Sequence, residues 1–216
     1  KGMDKNGVLT AVCDIDEGRR KWAESNLEGV KVFSDRADMF ASGLIDAVII
    51  DTPHYAHPGI AKEALSAGLH VLCDKPAGVY TKAVREAAEF GATKPELKFG
   101  ILYNQRTNKV YVKAKEIIDS GRLGQLKRIV WIITNWYRPQ AYYDQGGWRG
   151  TWAGEGGGVL INQDPHQLDL FTWLAGRPVK RVWSVCKTVG RKINVENDVT
   201  AVCEFEGGAE GVFITS

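Results

Sequence analysis

The chain has 216 residues, of which 44% are hydrophobic and 25% charged, and its net charge is +2. That length suits one large or two small domains, since domains commonly run about 100–150 residues. The balanced charge excludes the basic stripe of a nucleic-acid binder, and no apolar run reaches the ~18 residues that a membrane span needs. Val8 to Cys13 opens the readable pattern as a short buried strand, followed by a polar helix from Glu17 to Asn26. Asp46 to Asp51 is a second buried strand, stopped at Thr52-Pro53 because proline removes a ladder donor. A helix over His57 to Ala67 carries Ile60, Ala61, Ala64 and Leu65 on one face. Leu69 to Cys73 is the next strand, ending in Asp74-Lys75-Pro76. Thr81 to Phe90 follows as a helix and Leu97 to Tyr103 as a strand.

This alternation of helices with near-continuous apolar strands predicts a doubly wound parallel sheet covered by helices on both faces. The second half predicts a helix over Asn108 to Ser120 and a long strand over Leu126 to Arg138. An irregular stretch, Pro139 to Gly158, precedes a helix ending near Ala175-Gly176. Strands follow over Val179 to Val189, Asp198 to Glu206 and Ala209 to Thr215. Strands without crossover helices between them predict an open, largely antiparallel sheet. The expected division is therefore 1–105 for the parallel α/β domain and 106–216 for an α+β domain. The four cysteines form no C-x-x-C pair, so metal and redox motifs have no support. Cys13, Cys73 and Cys203 sit in apolar runs and read as core. No signal-peptide pattern occurs, and a reducing cytoplasm is the expected compartment.

In doubly wound folds ligands bind outside the carboxyl ends of the strands. Asp14 stands at such an end, where a carboxylate accepts hydrogen bonds from an adenosine ribose; a solvated turn aspartate fits as well, and Asp16 is a rival. A G-x-G-x-x-G loop should lie ~20 residues before that acid. Only 13 residues precede Asp14, so the first strand and its glycine loop are expected to lie outside the chain, which reads as truncated at both ends. Lys75, at a strand end and before a proline, points into the crevice as a fixed cation for a developing alkoxide, or is a surface lysine. His166 is the natural proton acceptor near neutral pH. In a continuous helix it shares a face with Asn162; alternatively Asp164 caps a helix that starts at Pro165. Gly156-Gly157-Gly158 before it suggest close backbone approach. Tyr143, Trp148 and Arg149 belong to a loop that offers aromatic faces and a fork donor to a sugar, or that forms a small core of its own.

Three ordered segments carry a resemblance: Ala47 to His57 with Thr52-Pro53-His54-Tyr55-Ala56-His57, Gly68 to Pro76 with Gly68-Leu69-His70-Val71 and Asp74-Lys75-Pro76, and Gly156 to Asp169. Together they resemble the glucose–fructose oxidoreductase / inositol dehydrogenase / MocA family. The resemblance implies a Rossmann domain binding NAD or NADP and a C-terminal α/β domain whose open sheet often mediates homo-oligomers. It implies that Lys75 stabilises a substrate oxyanion and that His166 takes the proton of a hydroxyl being oxidised. Thr52, Pro53, His57, Asp74, Lys75 and Arg106 would stand at the cofactor, with Asp14 on its ribose. Two positions depart from the family pattern. Asp74 replaces glutamate, and Asn162 replaces the aspartate four residues before the histidine; an amide cannot accept a proton at neutral pH. If a second carboxylate is needed, Asp164 is the nearest. Asp14 favours NAD, while Arg19 and Arg20 keep NADP open. The expected activity is hydride transfer between nicotinamide and a hydroxyl or ketone of a sugar, cyclitol or glycoside. The alternatives are a glycosidase using transient oxidation and elimination on bound NAD, and a non-catalytic cofactor-binding protein.

Overall fold

The computed structural model describes residues 7–216. In chain order its elements are β1 (Ala11–Cys13), α1 (Glu17–Asn26), β2 (Lys31–Phe33), α2 (Arg36–Ala41), β3 (Ala47–Ile50), α3 (His57–Ser66), β4 (His70–Cys73), α4 (Thr81–Ala92) and β5 (Phe99–Ile101). There follow α5 (Lys109–Asp119), β6 (Arg128–Ile133), α6 (Gln140–Asp144), α7 (Val159–Asn162), α8 (Pro165–Ala175), β7 (Val179–Lys187), β8 (Asp198–Phe205) and β9 (Glu210–Thr215). Short 3-10 turns at His54–Ala56 and Asn104–Thr107 follow β3 and β5.

Local chemistry explains the helix starts. Asp16, Asp35 and Asn108 accept from the backbone N–H groups of Arg19 (2.7 Å), Ala37 (2.6 Å) and Val110 (3.0 Å). Each satisfies a donor that the first turn leaves without an intrahelical partner. α8 ends at Gly176, whose φ of 64° is the left-handed conformation that glycine adopts without a Cβ penalty.

All strand pairs in the first half are parallel, in two groups among the described residues: β1 with β2, and β3-β4-β5. The core of this half joins both groups, with Ile50, Ala61, Ala64, Leu65, Val71 and Cys73 buried and Cys13 and Phe33 packed beside them. Ile49 and Leu72, side by side in register, are exposed on one face of the β3-β4-β5 sheet. In the second half β6-β9-β8-β7 form one mixed sheet, β6 and β9 parallel and the other pairs antiparallel. α8 packs one face through Phe171, whose ring meets Phe205 at 5.4 Å and Phe213 at 5.6 Å. Burying a side chain as large as Phe205 is worth about 1.5–3 kcal/mol.

The strand expected to reach Arg138 stops at Ile133, where its partner β9 also ends at Thr215. The helix break is as the Asp164 alternative has it. α7 closes at Asn162 and α8 restarts with Pro165 in its first turn, although the Asp164 side chain makes no capping hydrogen bond.

Candidate active site at the junction of the two halves

Lys75 leaves the end of β4 and crosses to the second half. Its Nζ donates to the Asn162 carbonyl at 2.6 Å and to Asn162 Oδ1 at 3.4 Å. An ammonium has three donors, so one proton remains for a third acceptor. Burial lowers the Lys75 pKa; Asp74 and Glu155 oppose that shift, and Arg149 and Arg138 add to it. His166 stands in the first turn of α8 with the Tyr103 ring edge-on at 6.2 Å. Its Nδ1 is sealed from solvent without a partner. Burial lowers its pKa, and the positive charge of Lys75 lowers it further, against Asp74 and Asp169. Both effects hold the imidazole neutral, the form that accepts a proton.

Two further residues complete this cluster: Glu155, which sequence reasoning left out, and Tyr142, which opens the aromatic loop expected to meet a sugar but was not singled out as Tyr143 was. Glu155 is buried: its Oε2 accepts from Gly150 N at 2.7 Å, its Oε1 from Asn162 Nδ2, and Arg149 Nη1 lies 3.6 Å away. Burial raises its pKa, opposed by those donors and by Lys75. Tyr142 accepts from Arg149 Nη1 at 2.7 Å and from Asn162 Nδ2 at 3.4 Å, which leaves its own O–H as a donor. An acid among glycines and the first of two adjacent tyrosines carry no local signal of such a role.

Several expected site residues serve the scaffold instead. His57 is buried, with Nδ1 2.8 Å from the Pro76 carbonyl and Nε2 2.7 Å from the Thr52 carbonyl. It ties the loops after β3 and β4 together. Its neighbour His54 places Nδ1 2.9 Å from the Glu155 carbonyl, and Tyr55 donates to the Trp152 carbonyl at 2.5 Å. These contacts fasten the first half to the glycine-rich loop. Arg106 is held by Asp169 in a two-point ion pair (2.7 and 2.6 Å) and lies over Trp173 at 5.5 Å, so it joins the end of β5 to α8. Asp164 is fully buried beside Thr215, under the second sheet and not at the cleft; burial pushes its pKa up to about 6. Tyr143 packs edge-on against Tyr142 and beneath Gly150, one residue away from the position that reaches Asn162. Trp148 meets the His54 ring in a T-shaped contact (5.9 Å) and has the Arg149 guanidinium over its ring (4.5 Å). The glycine run approaches protein too. A Cβ at Gly156 would strike Val79, and one at Gly158 the Glu196 backbone. Glu196 also caps α7, accepting from Gly158 N at 3.1 Å and Leu160 N at 3.2 Å.

The remaining positions line the carboxyl ends of the strands. Thr52 and Pro53 are exposed after β3, and Asp74 precedes Lys75, which is joined to Pro76 by a cis peptide bond. Asp14 follows β1. Its Oδ1 accepts from Asp16 N at 2.8 Å and its Oδ2 lies 3.4 Å from Arg19, while Asp16 itself caps α1.

Two family profiles match the chain: residues 2–98 match an oxidoreductase family with an NAD-binding Rossmann fold, and residues 111–216 match the GFO/IDH/MocA C-terminal domain. The chain belongs to the GFO/IDH/MocA oxidoreductase family. Inositol 2-dehydrogenase 2 of Saccharopolyspora erythraea is 30% identical over 79% of this chain and 47% of its own length. The WlbA dehydrogenase of Bordetella pertussis, solved with NADH and UDP-GlcNAcA, superposes with a TM-score of 0.87 at 31% identity, over 96% of this chain and 63% of that one. Scyllo-inositol dehydrogenase of Lactobacillus casei, solved with NAD(H) and scyllo-inositol, does so with a TM-score of 0.80 at 26% identity, over 96% and 61%. The chain spans about half the length of the curated relatives it matches, between 41% and 62% of the first four.

Proposed function

We propose that this chain carries the reacting core of an NAD-dependent dehydrogenase that oxidises a secondary hydroxyl of a sugar, sugar derivative or cyclitol. The observation that carries the reading is the meeting of Lys75, with one free donor, and a neutral, half-buried His166 at the strand ends of a Rossmann-type sheet. The residues present fit a dinucleotide. Asp14 holds a carboxylate where a ribose would lie, and Thr52, Pro53 and Lys75 form the edge where nicotinamide would rest. NAD supplies a hydride acceptor when bound. His166 takes the hydroxyl proton, Lys75 donates a hydrogen bond from its third N–H to the oxygen as negative charge develops there while keeping that proton, and the Tyr142 hydroxyl donates to a neighbouring substrate oxygen. The Asp14 carboxylate repels a 2′-phosphate, which favours NAD over NADP.

Among the substrate types of the relatives, an acidic sugar fits best. Arg138 and Arg149 flank the Tyr142 ring at 5.2 and 4.9 Å, and Arg138 Nε is buried without a partner. The second sheet supports a homo-oligomer. The face away from α8 carries two cross-strand rows, Val130-Val212-Val202-Trp183 and Ile132-Ile214-Thr200-Val185, most of whose residues are exposed. Contiguous apolar surface of that kind marks an association site. Cys13, Cys73, Cys186 and Cys203 are all free, which suits the cytoplasm.

The test is NADH formation across neutral polyols, cyclitols, uronic acids and nucleotide sugars, repeated with His166→Ala. We expect turnover to fall by ~10²–10⁴-fold, the usual worth of a general base. Turnover within a few-fold of wild type would sink the assignment. Glycoside cleavage without net NADH would make the protein a glycosidase, and nucleotide binding without turnover would make it a sensor.

A further inference from the structure

Asn162 stands where the family pattern places an aspartate, and the charge that it lacks is found one hydrogen bond behind it. Glu155 touches the Asn162 amide through Oε1, and the opposite end of that amide faces Lys75. The chemistry of the partners fixes the orientation of the amide. A carboxylate only accepts and an ammonium only donates, so Nδ2 must face Glu155 and Oδ1 must face Lys75. Tyr142 also receives from Nδ2. Asn162 is thus held on all sides, with Glu155 buried at one end and Lys75 at the other.

We propose that Glu155 is a positioning residue for the hydroxyl oxidation. Through the Asn162 amide it orients the Lys75 ammonium, and it supplies from position 155 a negative charge behind that amide. The proposal rests on the dehydrogenase reading above. Charge balance supports it. Lys75 is faced by Asp74 from its own loop, Arg138 and Arg149 from the aromatic loop, Glu155 from the glycine-rich loop, His54 after β3 and His166 on α8. Without Glu155, three cations (Lys75, Arg138 and Arg149) would share this space with Asp74 as the one carboxylate acting on Lys75. A buried lysine in that setting holds its proton less tightly, and a neutral amine stabilises an oxyanion poorly.

Glu155→Gln keeps an acceptor for the amide and removes only the charge, whereas Glu155→Ala removes both. For Glu155→Gln we expect kcat to fall about tenfold or more and the alkaline limb of kcat/KM to move ~0.5–1 pH unit toward acid. The double variant Asn162→Asp with Glu155→Gln, which returns a carboxylate to position 162, should recover to within about tenfold of wild type. Asn162→Asp alone sets two carboxylates against each other and should not. A readout independent of turnover is competitive acylation of Lys75 as a function of pH, followed by mass spectrometry of its peptide. The Lys75 amine of Glu155→Gln should react at lower pH than that of the wild type. An unmoved acylation profile together with an unmoved alkaline limb overturns the proposal, and so does a double variant no better than Asn162→Asp. If the wild type turns over no substrate, the dehydrogenase reading fails while the acylation profile still decides the role of Glu155.

Discussion

Asp164 offers the sharpest quantitative test. It is fully buried at the start of α8, and neither carboxylate oxygen has a partner of acceptable geometry, although the Thr215 hydroxyl lies beside it. Loss of solvent raises its pKa from 3.8 to about 6, with Thr215 offsetting a little. At about 1.4 kcal/mol for each tenfold change in proton affinity, holding this carboxylate charged in the folded state costs about 3 kcal/mol. The sign follows from linkage. A carboxyl whose folded value lies above its unfolded value contributes stability below the unfolded value, and that stability is lost as pH rises through about 6. Asp164→Asn freezes the site in its neutral form. Any fixed cost of the amide is the same at every pH, so the informative quantity is the change in the mutant's advantage with pH. Between about pH 4.5 and 7.5 that change should be ~2 kcal/mol in favour of the mutant, or ~4–8 °C in Tm for a chain of this size. Urea or thermal unfolding at the two pH values measures it. An equal stability difference at both would refute the burial argument. Loss of turnover in a stabilised Asp164→Asn variant would instead return Asp164 to the chemistry, where its position before His166 had suggested it.

Arg106→Ala should cost ~1–2 kcal/mol, a figure reduced because the Arg106 side chain is 44% exposed although Asp169 is only 9% exposed. Its KM for NAD should stay within about threefold of wild type; a tenfold rise with unchanged Tm would place Arg106 on the cofactor. Arg138→Met should lower kcat/KM for an acidic sugar by ~10–100-fold, the worth of a charged hydrogen bond, and leave neutral polyols nearly untouched. Equal losses on both substrate types would remove the anionic preference. Trp183→Asp, in the middle of the exposed rows, should shift sedimentation toward monomer without lowering Tm by more than a few degrees. An unchanged sedimentation coefficient would move the interface elsewhere.

The parts of the fold that were legible in the sequence are those with a local pattern. β3 and β4 are short apolar runs closed by proline-bearing loops, and α3, α4, α5 and α8 each pair an apolar face with a recognisable stop. β2 and α2 escaped because three strand residues and six helical residues are too short to show a period. The strand toward Arg138 was read too long because β propensity continues past Ile133, whereas the observed ladder runs from Arg128 to Ile133. The site was half legible for the same reason. Lys75 and His166 sit in segments with a signature, while Glu155 and Glu196 act across loops on groups whose sequence context gives no hint of them.

The residues that look functional in the motif from Thr52 to His57 also change meaning in three dimensions. His57 is polar and close to the crevice, which is why the resemblance sets it at the cofactor. Its ring nitrogens face the Pro76 and Thr52 carbonyls, and Nδ1 of the neighbouring His54 faces that of Glu155. That use has a physical logic. The loops after β3 and β4 must leave their carbonyls somewhere, and a buried carbonyl without a donor costs free energy. The His57 ring lies between the two carbonyls, and its single N–H in the neutral form donates to one of them, which one depending on the tautomer. The consequence is a division of labour within the crevice. His54, His57, Arg106 and Glu155 fix where the loops lie, while Lys75 and Tyr142 each keep a donor that no protein acceptor takes. Unspent capacity alone does not mark a reacting group, since both Asp164 oxygens lack a partner in the interior; it counts where it stands at the strand ends.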